Sequence, residues 1–130
     1  MTRLGAPIAV LAALTAPLTF GVQHHRLHRP PPPLARSLTV DEQEWSIIPS
    51  QRVVAAGAVT FHDYDRGQDA HNLTIKGPGG VQGVVWLQSG GSGTIVAHLQ
   101  PGTYVLYCSM YAGTPQSHEA LGMHTLLTVR

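Results

Sequence analysis

From Ser37 onward the chain alternates. In "AHNLTIK" His71, Leu73 and Ile75 fall on one side of an extended segment, and in "TYVLYC" Tyr104, Leu106 and Cys108 do the same. Met123, Thr125, Leu127 and Val129 share a side near the end. A period of two is the pattern of a β-strand with one buried face. It predicts strands over 37–41, 44–48, 52–64, 70–76, 83–88, 93–99, 102–108 and 123–129. The turn signals "IPSQ", "DYDRGQD", "GPGG", "SGGSG" and "LQPGT" separate them. Short strands at this spacing predict an all-β sandwich or barrel. No amphipathic helix of convincing length interrupts the pattern, and there is no internal repeat. The segment between Cys108 and His118 has room for a loop or one helical turn. His71, Cys108 and Met123 lie in phase with apolar stripes, so they are expected to point inward near strand ends.

The first 36 residues differ. "MTRLGAPIAVLAALTAPLTFGV" has a basic start and then an apolar run from Leu4 to Val22, broken by Pro7 and Pro17. Its length suits a bilayer span and its character suits a secretory leader. Residues 1–22 are therefore expected to be a signal peptide or an N-terminal membrane anchor, and the chain to be exported to the periplasmic or extracellular side. Residues 23–36 contain "PPPP", which enforces an extended polyproline II spacer. With His24, His25 and His28 they read as a solvated linker. Residues 37–130 are the expected folded domain.

Composition sharpens this picture. Hydrophobic residues make up 43% of the 130 and charged ones 12%, which excludes a disordered polar tail. The net charge of +1 is uneven. Arg3, Arg26, Arg29 and Arg36 face no acid in the first 36 residues. In 37–130, Arg52, Arg66, Lys76 and Arg130 are outnumbered by seven acids, a balance of −3. No basic patch there suits nucleic acid.

Cys108 is the chain's one cysteine. In an oxidising compartment it has no internal partner and is open to oxidation. Nearby stand His118 and Met123, in the spacing Cys-x9-His-x4-Met, with His71 upstream and Asn72 after it. Two imidazoles and a thiolate with a weak thioether are the donors of a blue-copper electron-transfer site. Each residue alone has a plain reading: an inert buried thiol, a core methionine, a packed histidine. Zinc also accepts Cys and His, but its structural sites do not usually use methionine.

"DAHNLTI", "PGTYVLYCS" and "HEALGMHTLLTV" together resemble the cupredoxins, the family of plastocyanin, azurin and rusticyanin. The resemblance covers residues 37–130. It implies a Greek-key β-sandwich of seven or eight strands holding one copper ion at one end. It implies His71, Cys108, His118 and Met123 as the metal ligands. It also implies that Asn72 ties the first ligand loop to the cysteine loop at Ser109. The function implied is one-electron transfer between redox partner proteins, not enzymatic catalysis, since all four ligand positions are filled. One departure is the nine-residue gap from Cys108 to His118, which is longer than usual for small carriers and closer to the type 1 domain of copper nitrite reductases. The insertion "MYAGTP" is therefore expected to reshape the surface beside His118. A copper-delivery protein and a copper-free adhesion sandwich are the rival readings. The single Cys excludes a two-copper oxidase centre, and no His-x-His pair supports a multicopper enzyme.

The remaining residues read plainly. His62 and His98 are expected at the surface, His124 is expected to point away from Met123, and Met110 to pack. Trp45 and Trp86 are expected in or partly under the core. Asn72-Leu73-Thr74 matches a glycosylation pattern, but beside a buried residue it is a poor acceptor. Asp63, Asp65 and Asp69 resemble a calcium loop only loosely and read as a solvated turn.

Overall fold

The computed structural model describes residues 30–130. The expectations for residues 1–22 and most of the linker lie outside the described residues. Nine strands and one short helix follow in order. They are β1 (Ser37–Gln43), β2 (Ser46–Pro49), β3 (Val53–Val54), β4 (Gly57–Asp65), β5 (His71–Gly77), β6 (Gly80–Leu87), β7 (Ser92–Leu99), β8 (Gly102–Tyr107), α1 (His118–Leu121) and β9 (His124–Val129).

Two sheets form, in the orders β2-β1-β4-β7 and β3-β9-β8-β5-β6. Both are mixed: β1 runs parallel to β4, and β3 parallel to β9, while the other pairs are antiparallel. The alternation seen in the sequence decides which face is inside. Leu38 and Val40 of β1, Val59 and Phe61 of β4, Leu73 and Ile75 of β5, Tyr104 and Leu106 of β8, and Leu127 and Val129 of β9 all join one buried cluster. Two inner faces packed on each other give the sandwich.

The expected strand over 52–64 is two strands. Val53–Val54 pairs with β9 in one sheet, and Gly57–Asp65 pairs with β1 and β7 in the other. Gly57, at φ 111°, turns the chain between them. The strand count is accordingly nine. Two residue expectations also fail. Trp86 is 65% exposed on β6, an edge strand. Asp63 and Asp65 are buried, not in a solvated turn. The strand phase that buries Phe61 also buries the residues two and four positions on. Asp69 is the exposed member of the three.

The "QPGTY" turn has its own clasp. The Tyr104 hydroxyl accepts from Gln100 N–H and donates to Gln100 C=O, both at 3.0 Å. This fixes the start of β8, the strand that delivers Cys108. Phe61 is the largest fully buried side chain among the described residues. Phe61→Ala should destabilise the fold by about 3–5 kcal/mol, read as a lower urea midpoint with an unchanged slope.

Candidate metal centre

The site lies where β5 begins and β8 ends. His71 opens β5 and Cys108 follows β8. Cys108 N–H still bonds to Met123 C=O at 3.0 Å, so the ladder between β8 and β9 continues one step past the strands. Between these two positions the chain leaves the sheet and returns. Its backbone is stitched by His118 N–H to Met110 C=O at 3.2 Å and Met123 N–H to His118 C=O at 2.9 Å. Ser117 caps the single turn of α1, its hydroxyl accepting from Ala120 N–H. Gly122 ends the turn at φ 125°, a region unfavourable to residues with a Cβ. A Cβ there would also stand 2.9 Å from the Trp45 carbonyl oxygen.

One atom from each of His71, Cys108 and His118 lies within 4.8 Å of the others, and all three residues are buried. The two Nδ1 atoms face each other at 3.2 Å, and His118 Nδ1 is 3.4 Å from Cys108 Sγ. Met123 has no exposed surface and packs in the same core cluster as Cys108. Asn72 N–H donates to Cys108 Sγ at 3.4 Å. The Asn72 side chain clasps the next residue on the other side: its amide donates to Ser109 Oγ at 3.0 Å, and Ser109 N–H donates to Asn72 Oδ1 at 2.8 Å.

Sequence reasoning missed Glu44. Its carboxylate accepts from the N–H groups of Gln68 and Asp69, both at 2.7 Å, and faces His71 Nε2 at 3.2 Å. Those backbone donors, Asp69 first, hold Glu44 down at about 2. The Glu44 carboxylate can accept a hydrogen bond only from the Nε2–H tautomer of His71, the one that leaves Nδ1 free to face the site. Gly67 permits this contact, because a Cβ there would overlap the Glu44 carboxylate. No spacing rule links position 44 to position 71; only the turn between β4 and β5 brings them together.

The site is dry and its thiol is neutral by default. Burial, above all, raises the Cys108 pKa; the backbone N–H of Asn72 partly offsets this, while Glu42 and Asp65 add to it. Burial and then the neighbouring His71 lower the His118 pKa. Without a cation burial disfavours both a charged His118 and an ionised Cys108, so metal binding should displace the thiol proton. A soft thiolate with two imidazoles, in a site closed to water, fits copper.

His118 also meets the surface. Trp45 packs edge-on against its ring at 4.8 Å between centroids, and Tyr111 lies at 5.3 Å. Tyr111 comes from the long loop after Cys108, so the "MYAGTP" segment lines the surface beside His118. Trp45, Tyr111 and Leu121 are 38%, 59% and 45% exposed around a depression of about 520 Å³ that His118 lines. His98 and His124 are exposed on the outer faces of their strands, while His62 is half-buried and contacts Thr94 Oγ1 at 3.3 Å.

No family model matches the chain, and no curated protein does. Solved structures do. An auracyanin from the photosynthetic bacterium Roseiflexus castenholzii, reduced with dithionite, is 21% identical with a TM-score of 0.61, over 75% of this chain and 98% of its own. Auracyanin A, a "blue" copper protein from the green thermophilic photosynthetic bacterium Chloroflexus aurantiacus, is 17% identical with a TM-score of 0.50, over 72% and 99%. A multicopper oxidase is 13% identical with a TM-score of 0.53, over 76% of this chain but only 45% of its own. The fold is the cupredoxin β-sandwich, and its His71, Cys108 and His118 stand together as a copper site does.

Glu44→Gln should leave copper bound and raise its reduction potential. It removes a negative charge that favours the more positive Cu(II) while keeping an acceptor for His71. Protein-film voltammetry of the copper-loaded protein reads this directly; an unchanged potential would detach Glu44 from the site.

Proposed function

We propose that this protein is an exported type 1 copper protein that carries single electrons between redox partner proteins. The observation that carries this reading is the convergence of one thiol and two imidazole Nδ1 atoms in a buried pocket at one end of a cupredoxin sandwich. Copper would supply the one-electron couple; the protein supplies its ligands and its surroundings. In this reading His71, Cys108 and His118 would hold the ion, with the Met123 thioether as a weaker fourth donor. Asn72 and Ser109 lock the two ligand loops together, and Asn72 N–H steadies the sulfur.

The chain is a carrier by the same logic. A rigid, closed ligand set leaves no position for substrate and costs little rearrangement when the charge changes. The Trp45, Tyr111 and Leu121 face over His118 is where a partner docks, bringing its own centre close to the imidazole edge. The apolar run of residues 1–22 supports export, either as a leader or as a tether that holds the domain near a membrane.

Two measurements test the reading. In voltammetry the loaded protein should show one reversible one-electron wave, with one copper per chain retained through repeated cycles. Loss of Cu(I) to a competing chelator on each reduction would favour copper delivery instead. Met123→Gln should keep copper and lower the potential, because a harder oxygen donor favours Cu(II), and Met123→Leu should raise it. If neither swap moves the potential, Met123 is not a ligand.

A further inference from the structure

Glu42, Asp63 and Asp65 are carboxylates in positions built for apolar residues. β1 and β4 run side by side, with Val40 paired to Asp63 and Glu42 to Asp65. All three side chains take the inward phase, at exposures of 0%, 0% and 2%. Five of their six oxygens have no hydrogen-bond partner among the described residues. The sixth, Asp65 Oδ1, accepts from Gly67 N–H at 2.9 Å.

No basic group among the described residues answers them. Arg66 turns outward to Asp41, Arg52 donates to Thr125, and Lys76 is exposed. A buried carboxylate left charged without a partner costs several kcal/mol, so it takes a cation or a proton. Three convergent carboxylates would suit a hard cation. These do not converge: among the described residues only His71, Cys108 and His118 bring three donor atoms within 4.8 Å of one another. Protons therefore answer the burial of Glu42 and Asp63. Burial, followed by repulsion from Asp63 and Asp65, raises Glu42 to about 9. Burial, opposed by the Tyr64 backbone N–H and reinforced by Asp65 and Asp41, raises Asp63 to about 7. One member thus changes charge near neutral pH.

The cluster lies beside the copper site: Asp65 Oδ1 accepts from Gly67 N–H, and Gly67 abuts both the Glu44 carboxylate and His71 Nε2. Glu42 and Asp65 both act on the Cys108 thiol through space. The other titratable groups at this end are His71 of β5, Cys108 after β8 and Glu44 after β1, which faces His71 Nε2 at 3.2 Å, while Asp41 pairs outward with Arg66. We propose that the Glu42–Asp63–Asp65 cluster takes up one proton when the copper centre is reduced and releases it on oxidation, so that this protein carries an electron and a proton together. The inference rests on the copper reading above. Reduction consumes one electron from a one-electron donor and one proton from solvent; an O–H bond forms on a carboxylate, and oxidation returns both. The coupling is reciprocal: whatever factor the proton adds to electron affinity, the electron adds to proton affinity.

The sign follows from charge. The ionised cluster favours Cu(II), and the protonated cluster favours Cu(I). The potential should therefore fall as pH rises, between the cluster's proton affinity in the oxidised state and its higher affinity in the reduced state. The slope cannot exceed one proton per electron, or 59 mV for each tenfold change in proton activity.

The test uses the full chain loaded with copper. Voltammetry from below pH 7 to above pH 9 is combined with redox-difference infrared spectra and an infrared pH titration of the apoprotein. Expected are a falling potential, a protonated-carboxyl band that grows on reduction, and a buried carboxyl titrating near neutral pH in the apoprotein. Glu42→Gln with Asp63→Asn should flatten the slope and remove the band. A pH-independent potential with no carboxyl change overturns the proposal, and wild-type protein alone suffices to see it. A slope that accompanies only imidazole bands, or that survives the double substitution, overturns it too. A chain that takes up no copper overturns both readings, and is told apart by metal analysis before any potential is measured.

Discussion

The backbone bond from Cys108 N–H to the Met123 carbonyl decides where the donors come from. β8 and β9 are antiparallel neighbours, with Tyr107 opposite His124. The ladder runs one step past that pair, and everything between Cys108 and Met123 becomes a loop closed at its base. His118 rides on that loop, held by Met110 on one side and by Met123 on the other. His71 comes from β5, whose register against β8 is set by Thr74 opposite Tyr107. Asn72 then fastens the start of β5 to the end of β8, donating to the sulfur from its backbone and clasping Ser109 with its side chain. Three donors that would be scattered in an unfolded chain are brought together by strand pairing before any metal arrives. Such preorganisation keeps the rearrangement small when one electron is gained or lost.

The interior beneath this site holds two opposed demands. The thiol needs a dry pocket, and the wall of Leu73, Leu106 and Met123 provides one. Dryness makes an unbound thiolate unfavourable, so the proton and the metal compete for Cys108. Three buried carboxyl groups lie nearby, and two of them, Glu42 and Asp65, work against the thiolate as well. A purely apolar end would be more stable, since buried acids without partners only cost free energy. Their presence makes sense where the charge of the site changes by one in normal use, because then their protons answer that change.

Much of this was legible in the sequence. Alternation in "AHNLTIK" and "TYVLYC" placed His71 and Cys108 on inward faces, and the structure buries both. The turns at "GPGG", "SGGSG" and "LQPGT" were visible as Gly and Pro, whereas the turn ending at Gly122, with its φ of 125°, was not singled out. Three other things were not legible. The run 52–64 reads as one strand because alternation carries through Gly57, although the chain there crosses to the other sheet. Glu44 lies far in sequence from His71 and meets it only through a turn whose path depends on Gly67. Asp63 and Asp65 carried a strong turn signal by residue type, yet their phase followed Phe61 into the core. In each case long-range pairing overrode a local preference.

The central claim is that Cys108 is a copper thiolate, and the spectrum of the Cu(II)-loaded protein tests it most directly. The intense visible absorption of a type 1 site arises from charge transfer between sulfur and Cu(II), so it requires this sulfur atom. With one equivalent of Cu(II), the wild-type protein should turn blue and give the narrow copper hyperfine splitting of such a site in its EPR spectrum. Cys108→Ser should lose both, even where the imidazoles still hold the ion in an ordinary tetragonal form. A wild-type protein that binds copper without colour, or a Cys108→Ser protein that stays blue, would contradict the account.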